Sequence, residues 1–256
     1  MTNAAPRLGL PGVTLCAIAS VNVDATVAAM VRSLPLMDCA RAMLFTDAAV
    51  PDLPAGIERI AIMPLRSLAA YSQFVLHRLV DWIETSHCLI VQWDGFVAAP
   101  EAWEPAFLAC DYIGAPWPQF GDGHDVGNGG FSLRSRRLML ACRDPAFHDD
   151  GAAEDLVIAR TNRAMLEERH GRVFAGRDLA SRFSRERDGA GLRTFGFHGV
   201  FNLPGVVGID GFWDFYRSLD HRGPVRTDFW PLLRAVAGGP AGLPRALRML
   251  RDSLTG

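Results

Sequence analysis

Residues 67–95 read SLAAYSQFVLHRLVDWIETSHCLIVQWDG, and this stretch decides the fold. Its first part brings Phe74, Leu76, Leu79, Val80 and Ile83 round at close to helical spacing, which predicts an amphipathic helix over 67–84. Its second part, 88–93, is an almost unbroken apolar run bounded by Asp94-Gly95, the pattern of a strand buried on both faces. A helix that feeds such a strand is the repeating unit of a parallel sheet. The carboxylate ending the strand then stands where open α/β sheets hold their ligands.

The same rhythm extends outward. Upstream, 13–20 (VTLCAIAS) predicts a strand and 24–34 a helix; 42–46 (AMLFT) is a second strand ending at Asp47, and 57–62 alternates as a third would. Downstream, 100–108 reads as a short helix and 110–117 (CDYIGAPW) as a strand running into a turn. Residues 119–130 (QFGDGHDVGNGG) can only be a loop. A strand over 131–133, a helix over 135–142 and a helix over 153–168 follow. Residues 171–187 read as irregular, 195–200 as a short strand or loop, and the segment from Asp210 as an aromatic-rich helical tail. The expected fold is α/β, one domain with a mostly parallel central sheet flanked by helices, divided internally at about 13–115, 116–203 and 204–256.

Composition narrows the function classes. With 49% hydrophobic and 21% charged residues, the 256-residue chain is neither disordered nor fibrous. A net charge of −2 gives no electrostatic footprint for nucleic acid. The five cysteines are scattered without a CxxC pair and read as reduced core thiols. No apolar run approaches the roughly 20 residues of a membrane span, and the amino terminus lacks a leader pattern. The expected location is cytoplasmic, at most peripheral to a membrane.

Chemistry concentrates in four short elements. Gln92-Trp93-Asp94-Gly95 offers a hard oxygen ligand at a strand end, although Asp-Gly alone is a common turn pair. Gly127, Asn128, Gly129 and Gly130 allow close backbone approach, at a spacing that fits neither the P-loop nor the dinucleotide fingerprint. Glu154-Asp155 opens a helix, as capping charges often do; as neighbouring carboxylates they also suit a tuned general base. His198, between glycines and aromatics, is either a satisfied core histidine or a ligand for a borderline divalent ion.

In this order the four elements resemble GT-A glycosyltransferases of the β-1,4-galactosyltransferase type, in which a DxD motif ends a strand and a GG loop, an ED pair and a late histidine follow. Over about 13–203, the strings YSQFVL, LIVQWDGF, DYIGAPW, VGNGGFSLRSRRL and FGFHG are similar to a bacterial family of glycosyltransferase-like proteins. The resemblance implies a GT-A-like fold with a nucleotide-sugar half (13–115) and an acceptor half (116–203). It implies Asp94 and His198 as ligands of Mn²⁺ or Mg²⁺, Asp155 as base and Glu154 as acceptor binder. Trp117, Asn128, Gly129 and Gly130 would line the substrate pocket; Ala19, Ser20, Asp47, Tyr71, Ser72, Gln92 and Trp93 would contact the donor, a UDP-sugar. The acceptor would be a glycan or a lipid-linked sugar. Gln92 departs from the pattern by putting an amide where DxD has its first acid, which opens the alternative of a non-catalytic nucleotide-sugar or glycan-binding module. A metal-dependent phosphohydrolase using Asp94 and His198 is the other alternative.

Overall fold

The computed structural model describes residues 7–188 and 193–255; the first six residues, part of the stretch read for a leader, and Gly256, the end of the tail, lie outside them. Strand β1 (Leu8–Ile18), helix α1 (Val23–Ser33), β2 (Met37–Thr46), β3 (Glu58–Ala61), α2 (Leu68–His77), β4 (His87–Val91), β5 (Tyr112–Ile113) and β6 (Ser132–Ser135) build the frame. The six strands form one sheet in the order β3-β2-β1-β4-β6-β5. Strands β3, β2, β1 and β4 are mutually parallel, and β6 runs antiparallel to both β4 and β5. This is the α/β class with a mostly parallel sheet that the 67–95 stretch led us to expect.

Period-two alternation sorts the central strands into two cores. Leu15, Ala17, Leu44, Leu89 and Val91 pack on one face with Met30 of α1, while Cys16, Ile18, Met43, Phe45, Cys88 and Ile90 pack on the other beneath α2. Both faces are thus covered, which explains why β4 carries no polar side chain between His87 and Gln92. Ser67 caps α2 by accepting from the Ala70 N–H at 3.1 Å. The helix stops at His77, short of the expected 84, and a 3₁₀ turn over Leu79–Trp82 takes over. That tighter winding keeps Leu79, Val80 and Ile83 against the sheet.

Beyond β6 the chain forms α3 (Arg136–Ala141), α4 (Glu154–Leu156), α5 (Arg163–Glu168), α6 (Arg177–Phe183), β7 (Ser184–Arg185) and β8 (Gly196–Phe197). Three local expectations are corrected. The helix over 153–168 is broken by a π turn at Val157–Thr161, where the Asn162 amide donates to the carbonyls of Val157 and His148. The helix over 100–108 is instead two 3₁₀ turns, Pro100–Ala102 and Pro105–Ala109, because Pro105 has no N–H to continue a helix. Within 171–187, residues 177–185 form α6 and β7.

Helices α7 (Leu203–Ser218), α8 (Gly223–Thr227), α9 (Phe229–Ala237) and α10 (Gly242–Thr255) complete the fold. Phe212, Trp213, Phe215 and Tyr216 of α7, with Trp93, Phe96 and Phe197, make a further core against Ala25 and Ala29 of α1. No described helix is long and apolar enough to cross a membrane.

Candidate active site

At the carboxyl end of β4 the chain reverses in a tight turn: Gln92 and Gly95 exchange both backbone hydrogen bonds, at 2.9 and 3.0 Å, leaving Trp93 and Asp94 at the tip. The two tip residues face different surroundings. Trp93 enters the core shared with the tail, while Asp94, also buried, faces His198.

His198 arrives by strand pairing. Arg185 of β7 and Phe197 of β8 are partners in a parallel register, so the next residues, Glu186 and His198, emerge side by side. The His198 N–H donates to the Arg185 carbonyl at 2.9 Å, and a bridge between Val97 and Gly196 lays β8 beside the turn that carries Asp94. The imidazole has two distinct sides. Its Nε2 faces Asp94 Oδ1 at 3.6 Å and Gln92 Oε1 at 3.4 Å, whereas Nδ1 meets Glu186 Oε1 at 3.2 Å and the Asn128 amide at 3.0 Å. Burial acts to lower the His198 pKa, but the flanking Asp94 and Glu186 carboxylates overcome it and raise it to about 9. Burial likewise opposes ionisation of Glu186, yet its hydrogen bond to His198 holds that carboxyl below its usual range. For Asp94 burial wins, and its pKa is raised.

This donor set bears on a divalent ion. An Nε2 that shares its surroundings with a carboxylate and an amide oxygen, while Nδ1 is fixed by a second carboxylate, is the usual environment of a metal-bound histidine. Adjacent ligands of an octahedral ion with bonds of about 2.1 Å sit roughly 3 Å apart, close to the spacing seen here. Among the described residues no group of three or more His, Cys, Asp or Glu side chains is arranged to hold an ion. Asp94 and His198, with the Gln92 amide oxygen, are two candidate ligands and a weak third, short of a complete protein donor set.

The glycine loop forms the wall between this group and the carboxylate pair. Asn128 takes a left-handed backbone (φ +69°), and its side-chain oxygen accepts from the N–H groups of Gly130 and Phe131. A Cβ at Gly130 would lie 2.1 Å from His198 Nε2, and one at Gly129 would lie 2.0 Å from Glu154 Oε1. These glycines thus make room for protein side chains. The Gly129 N–H donates to Asp155 Oδ2 at 2.9 Å, and the Leu156 N–H to its Oδ1 at 2.8 Å.

Glu154 and Asp155 diverge. Glu154 is buried, ion-paired at 2.7 Å with Arg134, which is itself buried and lies over the Tyr112 ring. Asp155 is half-buried and lines the cleft; burial first, and then the neighbouring Glu154 charge, raise its pKa to about 6.

The cleft encloses about 320 Å³ and brings together Tyr71, Gln92, Trp117, Asn128, Gly129, Gly130, Glu154, Asp155 and His198 from the residues that sequence singled out. Trp117 is pressed against Gly127, where a Cβ would meet the indole at 1.9 Å. Tyr71 accepts a hydrogen bond from the Gln92 amide at 3.1 Å. Others stand apart from the cleft wall. Ala19, Ser20 and Asp47 lie just past β1 and β2, and the Ser20 hydroxyl is occupied by the Leu65 N–H. Ser72 is buried within α2, Trp93 is in the tail core, and Asp94 lies behind His198. Glu186 is the residue that sequence reasoning missed in the cleft, and Arg134 the missed partner of Glu154.

The fold is that of an α/β protein with a cleft at the carboxyl edge of a mixed sheet, lined by His198 and Glu186 on one side of the glycine loop and by Glu154 and Asp155 on the other. The chain belongs to the family described as "Protein of unknown function (DUF5672)", whose model matches residues 55–198, more than half of its length. No curated protein matches it. Among solved structures it is similar to a mannosyltransferase, PcManGT from Pyrobaculum calidifontis in complex with GDP-Man and Mn²⁺, at 12% identity and a TM-score of 0.44; the match covers 99% of this chain and 78% of that one.

Proposed function

We propose that the cleft transfers a sugar from a nucleotide-sugar donor to a hydroxyl acceptor, with Asp155 as general base. One observation carries this reading: a half-open carboxylate, raised to about 6 and aimed by the Gly129 N–H, stands one residue along the same loop from the place His198 occupies against Gly130. That geometry suits a base on one side and a charge-compensating group for a diphosphate on the other.

In the proposed reaction the acceptor oxygen bonds to the anomeric carbon as its proton passes to an Asp155 carboxylate oxygen. The bond from that carbon to the diphosphate oxygen breaks with inversion, and the nucleoside diphosphate leaves with the electron pair. Asp94 and His198, with Gln92, would hold Mn²⁺ or Mg²⁺, which offsets charge on the departing diphosphate. Tyr71 and Gln92 would border the donor, with the nucleoside, that of a UDP-sugar, toward Ala19, Ser20 and Asp47 at the sheet edge. Trp117, Asn128, Gly129 and Gly130 would bound the transferred sugar and a glycan or lipid-linked acceptor. Glu154, expected as acceptor binder, would instead act through its neighbour: its carboxylate is tied to Arg134 and its charge raises the Asp155 pKa.

The deciding experiment measures nucleotide release from UDP- and GDP-sugars with Mn²⁺ present. Asp155→Asn is expected to lower turnover by about 10²–10⁴-fold with donor affinity kept. Unchanged turnover would remove Asp155 from its role. The neutral Gln92 favours a second reading, a binding module that holds nucleotide sugars without turnover; donor binding with no release by the wild-type chain would establish it instead.

A further inference from the structure

Charge is unevenly divided along the chain. Residues 221–256 hold six arginines against two aspartates, a local charge of +4; since the whole chain carries −2, the rest carries −6. The positive segment contains α10, whose two faces differ. Ala246 and Met249 are buried against the tail core, whereas Leu243, Leu247 and Leu254 are 72%, 56% and 87% exposed. Leu250, partly exposed, falls in the same row, since positions 243, 247, 250 and 254 recur on one side of a helix. Arg248 and Arg251 each follow a leucine of that row by one residue, and both stand at the rim of Asp252, at 3.7 and 3.4 Å, in partly exposed pairs that headgroup phosphates can replace. On the adjoining α9, Trp230 is 71% exposed.

Four leucines in register on a helix already anchored by a neighbouring face are not needed for the core. A row of this kind beside arginines has the chemistry of a helix lying in a membrane interface. The arginines would meet anionic headgroups, while the net negative remainder of the chain is repelled and held outward. We propose that the leucine row of α10 and its flanking arginines seat the protein on an anionic lipid surface. This inference is independent of the reading of the cleft.

The test is co-sedimentation of the full chain with phosphatidylcholine vesicles, with and without about 30 mol % phosphatidylglycerol. Binding is expected only with the anionic lipid, and is expected to weaken as salt is raised to about 0.5 M. Replacing Leu243, Leu247 and Leu254 together by Ser should lower the partition coefficient at least about tenfold, because these exposed side chains supply the apolar insertion. Their exposure leaves the fold intact, which far-UV circular dichroism checks. Absence of binding to the anionic vesicles, equal binding to both kinds, or equal binding by the triple variant would each overturn the proposal. So would a dimer in sedimentation velocity that the triple variant abolishes while vesicles stay bare, which would assign the row to a second copy of the chain.

Discussion

The pKa of Asp155 makes the first prediction, at the scale of the residue. A general base works in its ionised form, so with a pKa raised to about 6 the rate should climb about tenfold per pH unit below that value and level off above it. In Asp155→Asn the residual rate should lose this rise; a profile identical to the wild type would assign the titration to another group. Glu186→Gln should weaken Mn²⁺ binding about 10–100-fold, read by metal titration, because a neutral amide at Nδ1 no longer raises the basicity of the His198 ring. Arg134→Met leaves Glu154 as a buried, unpartnered charge and should cost about 3–5 kcal/mol in urea denaturation. These residues also mark the limit of sequence reading. That Asp94, Glu154, Asp155 and His198 would lie about one cleft was legible because each sits in a short motif of recognisable order; the pairing of Glu154 with Arg134 was not. Glu186 was not, since the polar run around it carries no periodicity and its role comes from pairing of β7 with β8. Arg134 reads as one more surface arginine until the fold buries it.

Among the elements, the glycine loop separates two functions over two adjacent positions. Gly129→Ala would drive a methyl group into the buried Glu154–Arg134 pair and should lower stability, by about 1–3 kcal/mol on the scale of overpacked cores. Gly130→Ala would displace the His198 ring and should cost about 100-fold in activity with a smaller loss of stability. Similar losses of both quantities in the two variants would contradict this division. The long elements were legible from period: α1 and β4 appear within a residue or two of where the apolar pattern puts them, while β1 and β2 begin five residues earlier than expected, at Leu8 and Met37. The short ones were not. α6 spans seven residues and β7 and β8 two each, too few for a period to register, and the π turn at 157–161 depends on an Asn162 side chain reaching back to two carbonyls.

For the whole molecule, the measurable quantity is linkage between ligand and folding. A nucleoside diphosphate that binds only the folded chain should raise its melting temperature, with about 2.7 kcal/mol of added stability at about a hundred times Kd. A larger shift with Mn²⁺ present is expected if Asp94 and His198 share the ion with the phosphates. A shift equal with and without Mn²⁺ would remove the ion from donor binding. The architecture also explains why the tail, outside both the resemblance and the matched family region, still matters to the cleft. Trp93 and Asp94 are neighbours at one turn tip, and the indole is seated among Phe212, Phe215 and Tyr216 while the carboxylate faces His198. A gene shortened at the family boundary would therefore strip the backing from that turn and leave a wall of aromatic rings facing water. Its product should accumulate in inclusion bodies, and co-expression of the missing helices as a separate polypeptide is the natural way to recover it in soluble form.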